Sequence, residues 1–292
     1  MIAVDWGTSS FRAYRLSVDG RILDKRTAAF GILHVADRKF GETLTAQIGE
    51  WLEMGEGPVL MSGMIGSRQG WIEAPYCECP AGFPEIASKL KEVAWERRRI
   101  WIAPGICGRD SSGVRDVMRG EEMQILGAMD SLPGRSGLVC LPGTHSKWVE
   151  VRDGKIENFA THMTGEVFAV LKEHSILGRM MTDATDTESF SAGLSRAKES
   201  GGLLHHLFGV RARGLFGEIS DGQSASYLSG ILIGHEVKAA LESKTDTHIY
   251  ILGTPHLSAL YASACDAFGV ESTELDSESV VRGLYLLSQH LN

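Results

Sequence analysis

The sequence predicts an α/β fold built from two similar domains that face one cleft. Strand-like runs alternate with helical segments along the chain, which indicates sheets with parallel members. A strand–turn–strand pattern at residues 2–16 returns near residues 139–149. With 292 residues the chain also exceeds one typical hydrophobic core. These three observations together favour two related domains.

The opening stretch predicts a β-hairpin. An apolar strand, Ile2 to Val4, ends on Asp5, and the turn Gly7-Thr-Ser-Ser10 leads into a second strand toward Leu16. Backbone N–H groups and hydroxyls in such a turn can bind phosphate oxygens, and a hard cation prefers carboxylate oxygen and water. The same residues are equally typical of an ordinary hairpin turn. The rest of the chain decides between these interpretations.

Apolar spacing predicts the elements that follow. We expect a third strand after Val18, a helix over about residues 40–54, a strand over 58–62, a helix over about 83–97 and a strand over 99–103. Residues 105–120 are rich in Gly, Ser, Asp and Arg, which predicts a linker. We therefore place a domain boundary between residues 110 and 111.

A glycine-punctuated loop from Gly63 to Trp71 follows the strand over residues 58–62. In parallel sheets, ligands bind where strand ends meet loops. A flexible connector is the simpler interpretation, but the large apolar side chains of Met64, Ile65 and Trp71 argue against a merely solvated segment. The loop is therefore predicted to form a wall of the substrate site.

Residues Val139–Val149 repeat the opening hairpin. Gly143-Thr144 matches Gly7-Thr8, and a strand follows each turn. Leu141 stands where the first copy has Asp5, so the second copy lacks the carboxylate. A nucleotide site explains this asymmetry, because one side would hold Mg²⁺ while the other holds phosphate oxygens. We expect the two hairpins to grip the β- and γ-phosphates of ATP between them.

The second half predicts mostly helices. Helical spacing covers about residues 164–180, 189–216, 224–241 and 277–290, and a strand over 248–252 runs into Gly253-Thr254. A glycine at a strand-to-helix turn allows a flat ligand to approach the backbone closely. Gly230 lies among small residues on one face of its helix, for which close helix packing is the structural explanation.

Composition excludes several classes of function. The net charge of −8 argues against a nucleic-acid-binding surface. The chain has no apolar run long enough to span a bilayer and no signal-peptide pattern at its start, which predicts a cytoplasmic protein without membrane association. Five cysteines do not form a disulfide framework, and Cys77-Glu-Cys79 lacks a second ligand pair for zinc.

The two hairpins resemble the first and second phosphate motifs of the sugar kinase/Hsp70/actin superfamily. The whole chain is more similar still to the 2-dehydro-3-deoxygalactonokinases, bacterial enzymes of galactonate breakdown. Blocks shared with that family occur in order along nearly the whole sequence: Ala3-Val-Asp-Trp-Gly7, Gly63-Met-Ile-Gly-Ser67, Gly70-Trp71, Ala74-Pro75-Tyr76, Val117-Met-Arg-Gly-Glu-Glu122, Pro142-Gly-Thr-His145, Met163-Thr-Gly-Glu166 and Leu228-Ser-Gly-Ile-Leu-Ile-Gly234.

This resemblance implies two ribonuclease-H-like domains with an interdomain cleft. It implies ATP and Mg²⁺ as cofactors and phosphorylation of 2-dehydro-3-deoxy-D-galactonate to its 6-phosphate. Residues 1–110 would bind the sugar acid and residues 111–292 the nucleotide, with the last helix free to pack back on the first domain. Two alternatives stay open, a kinase of another sugar or sugar acid and a non-enzymatic nucleotide-binding regulator. A homodimer also stays open.

The predicted nucleotide site draws on both hairpins and on the superfamily's adenosine region. Asp5 is assigned to the metal side, and Thr254 departs from the second glycine usual in the adenosine motif. The residues predicted to bind phosphate or ATP are Gly7, Thr8, Ser9, Arg12, Gly143, Thr144, His145, Ser146, Lys147, Gly230, Gly253 and Thr254.

The predicted catalytic base is a carboxylate. In related carbohydrate kinases an aspartate at the start of the helix before the second phosphate turn serves as the base. Glu121 and Glu122 stand at about that place, one position out of register, and Glu121 is preferred. Helix-dipole compensation alone would also explain both glutamates.

The sugar acid brings a carboxylate, for which guanidinium is the natural bidentate partner. Arg68 and Arg119 are the candidates, and the sequence does not rank them. For Thr164 and Glu166 helix capping is the alternative explanation. The predicted substrate-binding residues are Ser62, Gly63, Met64, Gly66, Arg68, Trp71, Tyr76, Arg119, Thr164 and Glu166.

Overall fold

The computed structural model describes residues 1–54, 57–96, 98–110, 112–182, 184–242, 248–276 and 278–291. The chain forms two compact units. The first comprises Met1–Ser136, Glu150–Phe159 and Asp276–Asn292, and the second comprises Gly137–Val149 and Ala160–Leu275. The α/β class predicted from the alternating pattern is confirmed.

The first unit is built on a six-stranded sheet. Its strands are β1 (Ile2–Trp6), β2 (Phe11–Leu16), β3 (Ile22–Ala28), β4 (Val59–Ser62), β6 (Lys91–Trp95) and β7 (Arg98–Ile102), with the further strand β5 (Tyr76–Glu78) lying elsewhere. The sheet order is β3-β2-β1-β4-β7-β6. Strand β1 pairs antiparallel with β2 and parallel with β4. Every residue of β1 is buried, as expected for a central strand covered on both faces.

Alpha-helices and a smaller sheet complete the described part of this unit. The helices are α1 (Phe40–Glu53), α2 (Phe83–Ala87), α3 (Glu121–Ala128) and, late in the chain, α9 (Ser279–Ser288). Strand β5 joins β8 (Gly105–Arg109) and β9 (Arg115–Met118) in a three-stranded sheet. Helix α1 buries a stripe at helical spacing against the large sheet, including Leu44, Ile48 and Trp51.

A five-stranded sheet underlies the second unit, although its residues 150–159 are assigned to the first unit. Its strands are β10 (Gly137–Leu141), β11 (Ser146–Arg152), β12 (Lys155–His162), β13 (Ile249–Ile251) and β14 (Ser272–Glu274), in the order β12-β11-β10-β13-β14. The helices are α4 (Thr164–His174), α5 (Thr187–Lys198), α6 (Gly202–Leu215), α7 (Asp221–Leu241) and α8 (Pro255–Ala267). Strand β13 runs parallel to both β10 and β14.

The two sheets share one plan. Each begins with three consecutive strands in the order third, second, first, and two parallel strands then extend the sheet beyond the first. In the first unit β6 adds an antiparallel edge strand. The internal repeat predicted from the two Gly-Thr turns is therefore confirmed as a repeat of strand order.

Two predicted elements are wrong. The helix expected over residues 83–97 ends at Ala87, and β6 follows; Arg97 lies outside the described residues. Val93 and Trp95 turn inward at the strand period of two, which also satisfies part of a helical pattern. The linker expected over residues 105–120 contains the β8–β9 hairpin, in which Ile106 pairs with Met118.

The division predicted between residues 110 and 111 also needs correction. That point falls in the β8–β9 hairpin of the first unit, although Ser111 itself is outside the described residues. The first unit instead returns twice later in the chain, and its last segment contains α9. Helix α9 packs mainly against α3 and also contacts β1.

Candidate active site

A polar cluster lies at the carboxyl ends of the neighbouring strands β1 and β4. Asp5 stands opposite Arg12 on β2 and opposite Ser62 on β4. The Arg12 Nη2 atom donates a 2.5 Å hydrogen bond to Asp5 Oδ2. Burial raises the pKa of the Asp5 carboxyl, while the Arg12 guanidinium beside it lowers that pKa. Strand register therefore brings the predicted metal carboxylate together with a cation whose side chain is 42% exposed.

Two glycines draw the start of α3 against this strand end. Gly63 has φ +95°, and a Cβ there would lie 2.8 Å from the Trp6 carbonyl oxygen and 3.3 Å from Asp5 Oδ1. A Cβ on Gly120, where φ is +109°, would come within 3.2 Å of the Gly63 Cα. Only glycine fits both positions comfortably. The segment Arg119–Glu122 consequently lies close to Asp5.

Glu121 and Glu122 occupy different surroundings at the start of α3. Glu121 is half-buried, and its Oε2 accepts a 3.0 Å hydrogen bond from the Arg119 backbone N–H. Glu122 is fully buried, and its Oε2 accepts a 2.6 Å bond from the Gly120 N–H. Burial, with the Glu121 carboxylate nearby, raises the pKa of Glu122 to about 8. Glu122 is therefore mainly protonated at neutral pH.

Arg119 and Arg68 differ just as clearly. Arg119 is 9% exposed, its Nη2 donates a 2.8 Å bond to the Ala74 carbonyl oxygen, and its guanidinium lies 4.4 Å from the centre of the Tyr76 ring. Arg68 is exposed and forms an ion pair with Glu73 at 2.9 Å. These two arginines could not be ranked from the sequence, whereas their burial distinguishes them.

Several buried polar atoms of this cluster have no hydrogen-bond partner among the residues that the structure describes. They are Ser62 Oγ, Glu122 Oε1, Arg119 Nε and Arg119 Nη1. Because buried polar groups are nearly always paired, such a concentration of orphan atoms is typical of a functional site.

The other predicted substrate residues serve partly as packing. Gly66 is buried, and Met64 packs against the hydrophobic core of the unit. The Trp71 ring stacks on Phe40 at 6.5 Å and meets Trp95 edge-on at 5.7 Å. The loop predicted as a substrate wall is thus anchored to the core through Trp71.

The first turn, Gly7–Ser10, and the second turn, Gly143–Ser146, expose different parts of their motifs. In the first, Thr8 and Ser9 are exposed and Gly7 is half-buried. In the second, Thr144 and His145 are exposed, but Ser146 and Lys147 are buried. Ser146 Oγ forms a 2.9 Å hydrogen bond with the Tyr261 hydroxyl. The Ser146 hydroxyl is therefore committed inside the unit and not displayed by the turn.

The N-terminus of α4 packs on the second turn. The Glu166 N–H donates a 3.0 Å hydrogen bond to the Thr144 carbonyl oxygen, and the Glu166 carboxylate contacts the His145 ring. Thr164 is the first residue of α4 and does not cap it through its side chain. Both residues, predicted to bind substrate, lie beside the second turn.

A cavity of about 660 Å³ opens next to this turn, within the second unit. Gly143 and Thr164 line it together with residues 182, 184–187 and 190 and with parts of α7 and α8. Its apolar walls come from Phe168, Phe190, Leu232, Ile233, Leu257 and Leu260, and its polar lining includes Lys172, Ser226, Ser229 and His256. Most of these residues were not predicted, since they come from four separate segments without a local motif.

Gly230 does not line the cavity, although the sequence assigned it to ATP. A Cβ on Gly230 would lie 2.1 Å from the Phe190 carbonyl oxygen and 3.0 Å from the Gly193 Cα. Close packing of α5 on α7 is therefore the reason for this glycine. Gly253 and Thr254 precede α8, whose later residues His256 and Leu257 reach the cavity wall.

The described residues contain neither a cluster of metal ligands nor a membrane-spanning helix. They contain no group of three or more His, Cys, Asp or Glu side chains arranged to hold a metal ion. None of the described helices combines the length and the apolar character that crossing a membrane requires.

Known proteins match this chain over nearly its full length. A family model, 2-keto-3-deoxy-galactonokinase, matches residues 5–287. The "Probable 2-dehydro-3-deoxygalactonokinase DgoK1" of Rhizobium meliloti strain 1021 is 38% identical, covering 96% of this chain and 93% of its own. The 2-dehydro-3-deoxygalactonokinase of Escherichia coli K12 is 35% identical, with coverage of 95% and 93%.

A crystal structure from Sinorhizobium meliloti, of a protein assigned to the same activity, is also similar. It shares 37% identity and a TM-score of 0.90, with 99% of this chain and 97% of that chain covered. The common sheet order, with a glycine turn between the first two strands of each unit, defines a protein of the sugar kinase/Hsp70/actin fold class. Within that class, the chain belongs to the 2-keto-3-deoxy-galactonokinase family.

Proposed function

We propose that this protein phosphorylates 2-dehydro-3-deoxy-D-galactonate to its 6-phosphate, with ATP as donor, in bacterial galactonate catabolism. The observation that carries the proposal is the family match over residues 5–287, which includes every candidate residue of both units. The curated relatives bear the name of this activity at 35–38% identity.

The second unit is proposed to bind ATP in its cavity. A volume of about 660 Å³ with mostly apolar walls suits a nucleoside, since ligand pockets usually measure roughly 300–1,000 Å³. Gly143 reaches the cavity with open space where a side chain would be, which allows phosphate oxygens to approach the backbone. The N-terminus of α4 lies at the same place and favours negative charge.

Asp5 is proposed to hold Mg²⁺ on the side of the first turn. A single carboxylate fits this ion, because Mg²⁺ keeps several waters and takes its other ligands from substrate phosphates. When bound, the ion neutralises charge on the phosphate oxygens. Arg12 holds the Asp5 carboxylate in place at 2.5 Å and supplies positive charge of its own.

Glu121 is proposed as the general base. Its carboxylate is half-buried, and the Arg119 N–H fixes its orientation. Glu122 is less suited, since its pKa of about 8 leaves it mostly protonated at neutral pH. Glu122 instead helps to fix the backbone at Gly120 through the 2.6 Å hydrogen bond.

Arg119 is proposed to bind the carboxylate of the sugar acid. It is held between the Ala74 carbonyl oxygen and the Tyr76 ring, with two further donor nitrogens unpaired among the described residues. A positioned guanidinium can form two parallel hydrogen bonds with a carboxylate. Arg68 already pairs with Glu73 at the surface.

Phosphoryl transfer needs charge neutralisation, in-line positioning and an acceptor for the alcohol proton. The sugar's 6-hydroxyl oxygen forms the new bond to the γ-phosphorus while its proton passes to the Glu121 carboxylate. The bond from the γ-phosphorus to the bridging oxygen breaks, and its electron pair leaves on ADP. Arg119 and the loop from Gly63 to Trp71 hold the sugar during this exchange.

A coupled assay of ADP release over a panel of sugar acids tests the proposal. We expect the highest kcat/KM with 2-dehydro-3-deoxy-D-galactonate and a lower value with the gluconate epimer, with phosphorus NMR locating the product phosphate on O6. A higher kcat/KM for the gluconate epimer would mean that this epimer is the preferred substrate. If none of the sugars or sugar acids in the panel leads to ADP release, the kinase assignment is refuted.

A further inference from the structure

A chain of buried hydrogen bonds holds the second turn through Ser146. It links Ser146 in the turn, Tyr261 on α8, Glu236 on α7 and Trp148 on β11, and we call these four residues the second-turn network. All four are at least 95% buried. The network lies wholly inside the second unit.

The chemistry of the four groups fixes the direction of each hydrogen bond. Trp148 Nε1 can only donate, and it donates to Glu236 Oε1 at 2.8 Å. The Tyr261 hydroxyl donates to Glu236 Oε2 at 2.6 Å, so it accepts from Ser146 Oγ at 2.9 Å. Each carboxylate oxygen of Glu236 therefore accepts one hydrogen bond.

Tyr261 keeps its proton in this setting. Burial and the neighbouring Glu236 carboxylate both raise the pKa of the Tyr261 hydroxyl. Within the described part of the chain Glu236 forms no ion pair, and it is therefore held by neutral donors alone. A buried network satisfied in this way is rigid.

The network also reaches the ligand cavity. The Tyr261 side chain lines that cavity, and so does Gly143, the first residue of the second turn. Ser146 Oγ sits 3.5 Å from the Gly143 carbonyl oxygen, at the other end of the same turn. The turn is thus fixed at one end by the network and faces the cavity at the other.

We propose that Glu236, acting through Tyr261 and Ser146, is a positioning residue that sets the second turn for the β- and γ-phosphates of ATP. This inference rests on the proposed nucleotide site. Small displacements of a positioned group weaken phosphoryl transfer strongly. Loss of the network therefore weakens recognition of the phosphate chain and leaves recognition of the nucleoside intact.

Three substitutions break the network at different points: Tyr261→Phe, Ser146→Ala and Glu236→Gln. Tyr261→Phe removes only the hydroxyl and keeps the ring against the cavity. In Glu236→Gln an NH₂ group replaces one carboxylate oxygen, so either Trp148 or Tyr261 loses its acceptor. Tyr250→Phe, on β13 of the same unit, is the matched control for loss of a tyrosine hydroxyl.

Isothermal titration calorimetry with a non-hydrolysable ATP analogue and with AMP provides the test, alongside steady-state kinetics and thermal unfolding. For the network variants we expect the KM for ATP and the Kd of the analogue to rise about tenfold or more. The Kd of AMP and the KM for the sugar acid should stay near the wild-type values. Tyr250→Phe should change none of these constants.

Equal weakening of AMP and the ATP analogue would overturn the inference, because the network would then merely support the cavity. Unchanged affinity for both nucleotides in a variant that melts like the wild type would overturn it as well. The calorimetry does not require turnover. If the wild type binds both nucleotides but phosphorylates no sugar acid, the proposed function is refuted. The calorimetric affinities of the variants still test the role of the second-turn network in that case.

Discussion

The two turns share a backbone plan but differ in where their carboxylate stands. In the first unit Asp5 belongs to the sheet itself and pairs with the half-exposed Arg12. In the second, Leu141 ends the corresponding strand β10, and Glu236 is linked to the turn residue Ser146 through Tyr261. The first carboxylate has a charged partner that a cation can replace, whereas the second is enclosed by neutral donors. One copy of the repeated backbone therefore has a buried acid beside a half-exposed cation, and the other has a buried acid held by neutral donors.

Two neighbouring acids at the start of α3 also differ, in this case in their burial. Glu121 is half-buried and Glu122 is fully buried with a pKa of about 8. If Asp5 and Glu121 perform the chemistry while Glu236 and Glu122 hold the structure, substitutions at the two pairs will differ in their effects on rate, affinity and stability.

The largest effect is expected for Glu121→Gln. Loss of a general base lowers kcat by roughly 10²- to 10⁴-fold, which corresponds to about 3–5 kcal/mol of barrier. Glu122→Gln is the matched control, and it should change kcat little because the glutamine resembles the protonated acid. Steady-state kinetics at saturating substrates measure both. Near-wild-type kcat for Glu121→Gln beside an inactive Glu122→Gln would reverse the assignment.

Asp5→Asn is expected to come next. Removing one electrostatic partner of a transferring phosphoryl group lowers kcat by about 10²- to 10³-fold, and the Mg²⁺ concentration for half-maximal rate should rise. Asp19→Asn, an exposed change in the turn between β2 and β3, should alter neither quantity. The metal role of Asp5 is refuted if Asp5→Asn keeps the wild-type magnesium dependence.

Arg119→Lys should act on affinity. The lysine keeps the positive charge but loses the planar fork that pairs with a carboxylate, so the KM for the sugar acid should rise about tenfold with a smaller change in kcat. Arg68→Lys at the exposed ion pair should leave the KM unchanged. Unchanged KM in both variants would reject an arginine role in carboxylate binding.

The smallest effect on catalysis is expected from the ionisation of Glu122, which instead changes stability. Its pKa is about 8 in the folded protein against 4.5 for the ordinary group, so the folded state holds a proton that the unfolded state releases. The contribution of this group to the free energy of unfolding is thus complete below about pH 4.5 and is lost as pH rises toward 8. The slope can reach about 1.4 kcal/mol per pH unit.

Denaturant unfolding of the wild type and Glu122→Gln between pH 5 and 8.5 isolates this term, since other titrating groups cancel in the difference. We expect the variant to gain stability relative to the wild type as pH rises. A difference that does not vary with pH would mean that Glu122 is ionised in the folded protein.

Much of the fold could be predicted from local sequence patterns, because each of these strands and turns is formed by consecutive residues. The two Gly-Thr turns and the strands beside them predicted a repeated hairpin, and the sheet orders confirm that repeat. The β8–β9 hairpin escaped prediction because glycine, serine and aspartate dominate its sequence, although Ile106 and Met118 are buried in it.

The candidate site divides in the same way. Asp5, Arg119 and Glu121 stand in recognisable blocks, so the sequence could propose them. The burial that separates Arg119 from Arg68, or Glu122 from Glu121, depends on packing that no local pattern encodes. Glu236 and Tyr261 meet only because α7 and α8 pack together, and neither lies in a motif.

The contact of α9 with α3 has a consequence for the order in which the protein can be made. Gly127 and Gly283 let these helices touch, since a Cβ on either would fall about 2 Å from a backbone oxygen of the other helix. Helix α3 carries Glu121, yet α9 is translated only after the entire second unit. A ribosome therefore delivers the candidate base long before its supporting helix, and closing that long-range contact is a late and entropically costly event. The second unit can begin to fold while the first still waits for its last segment.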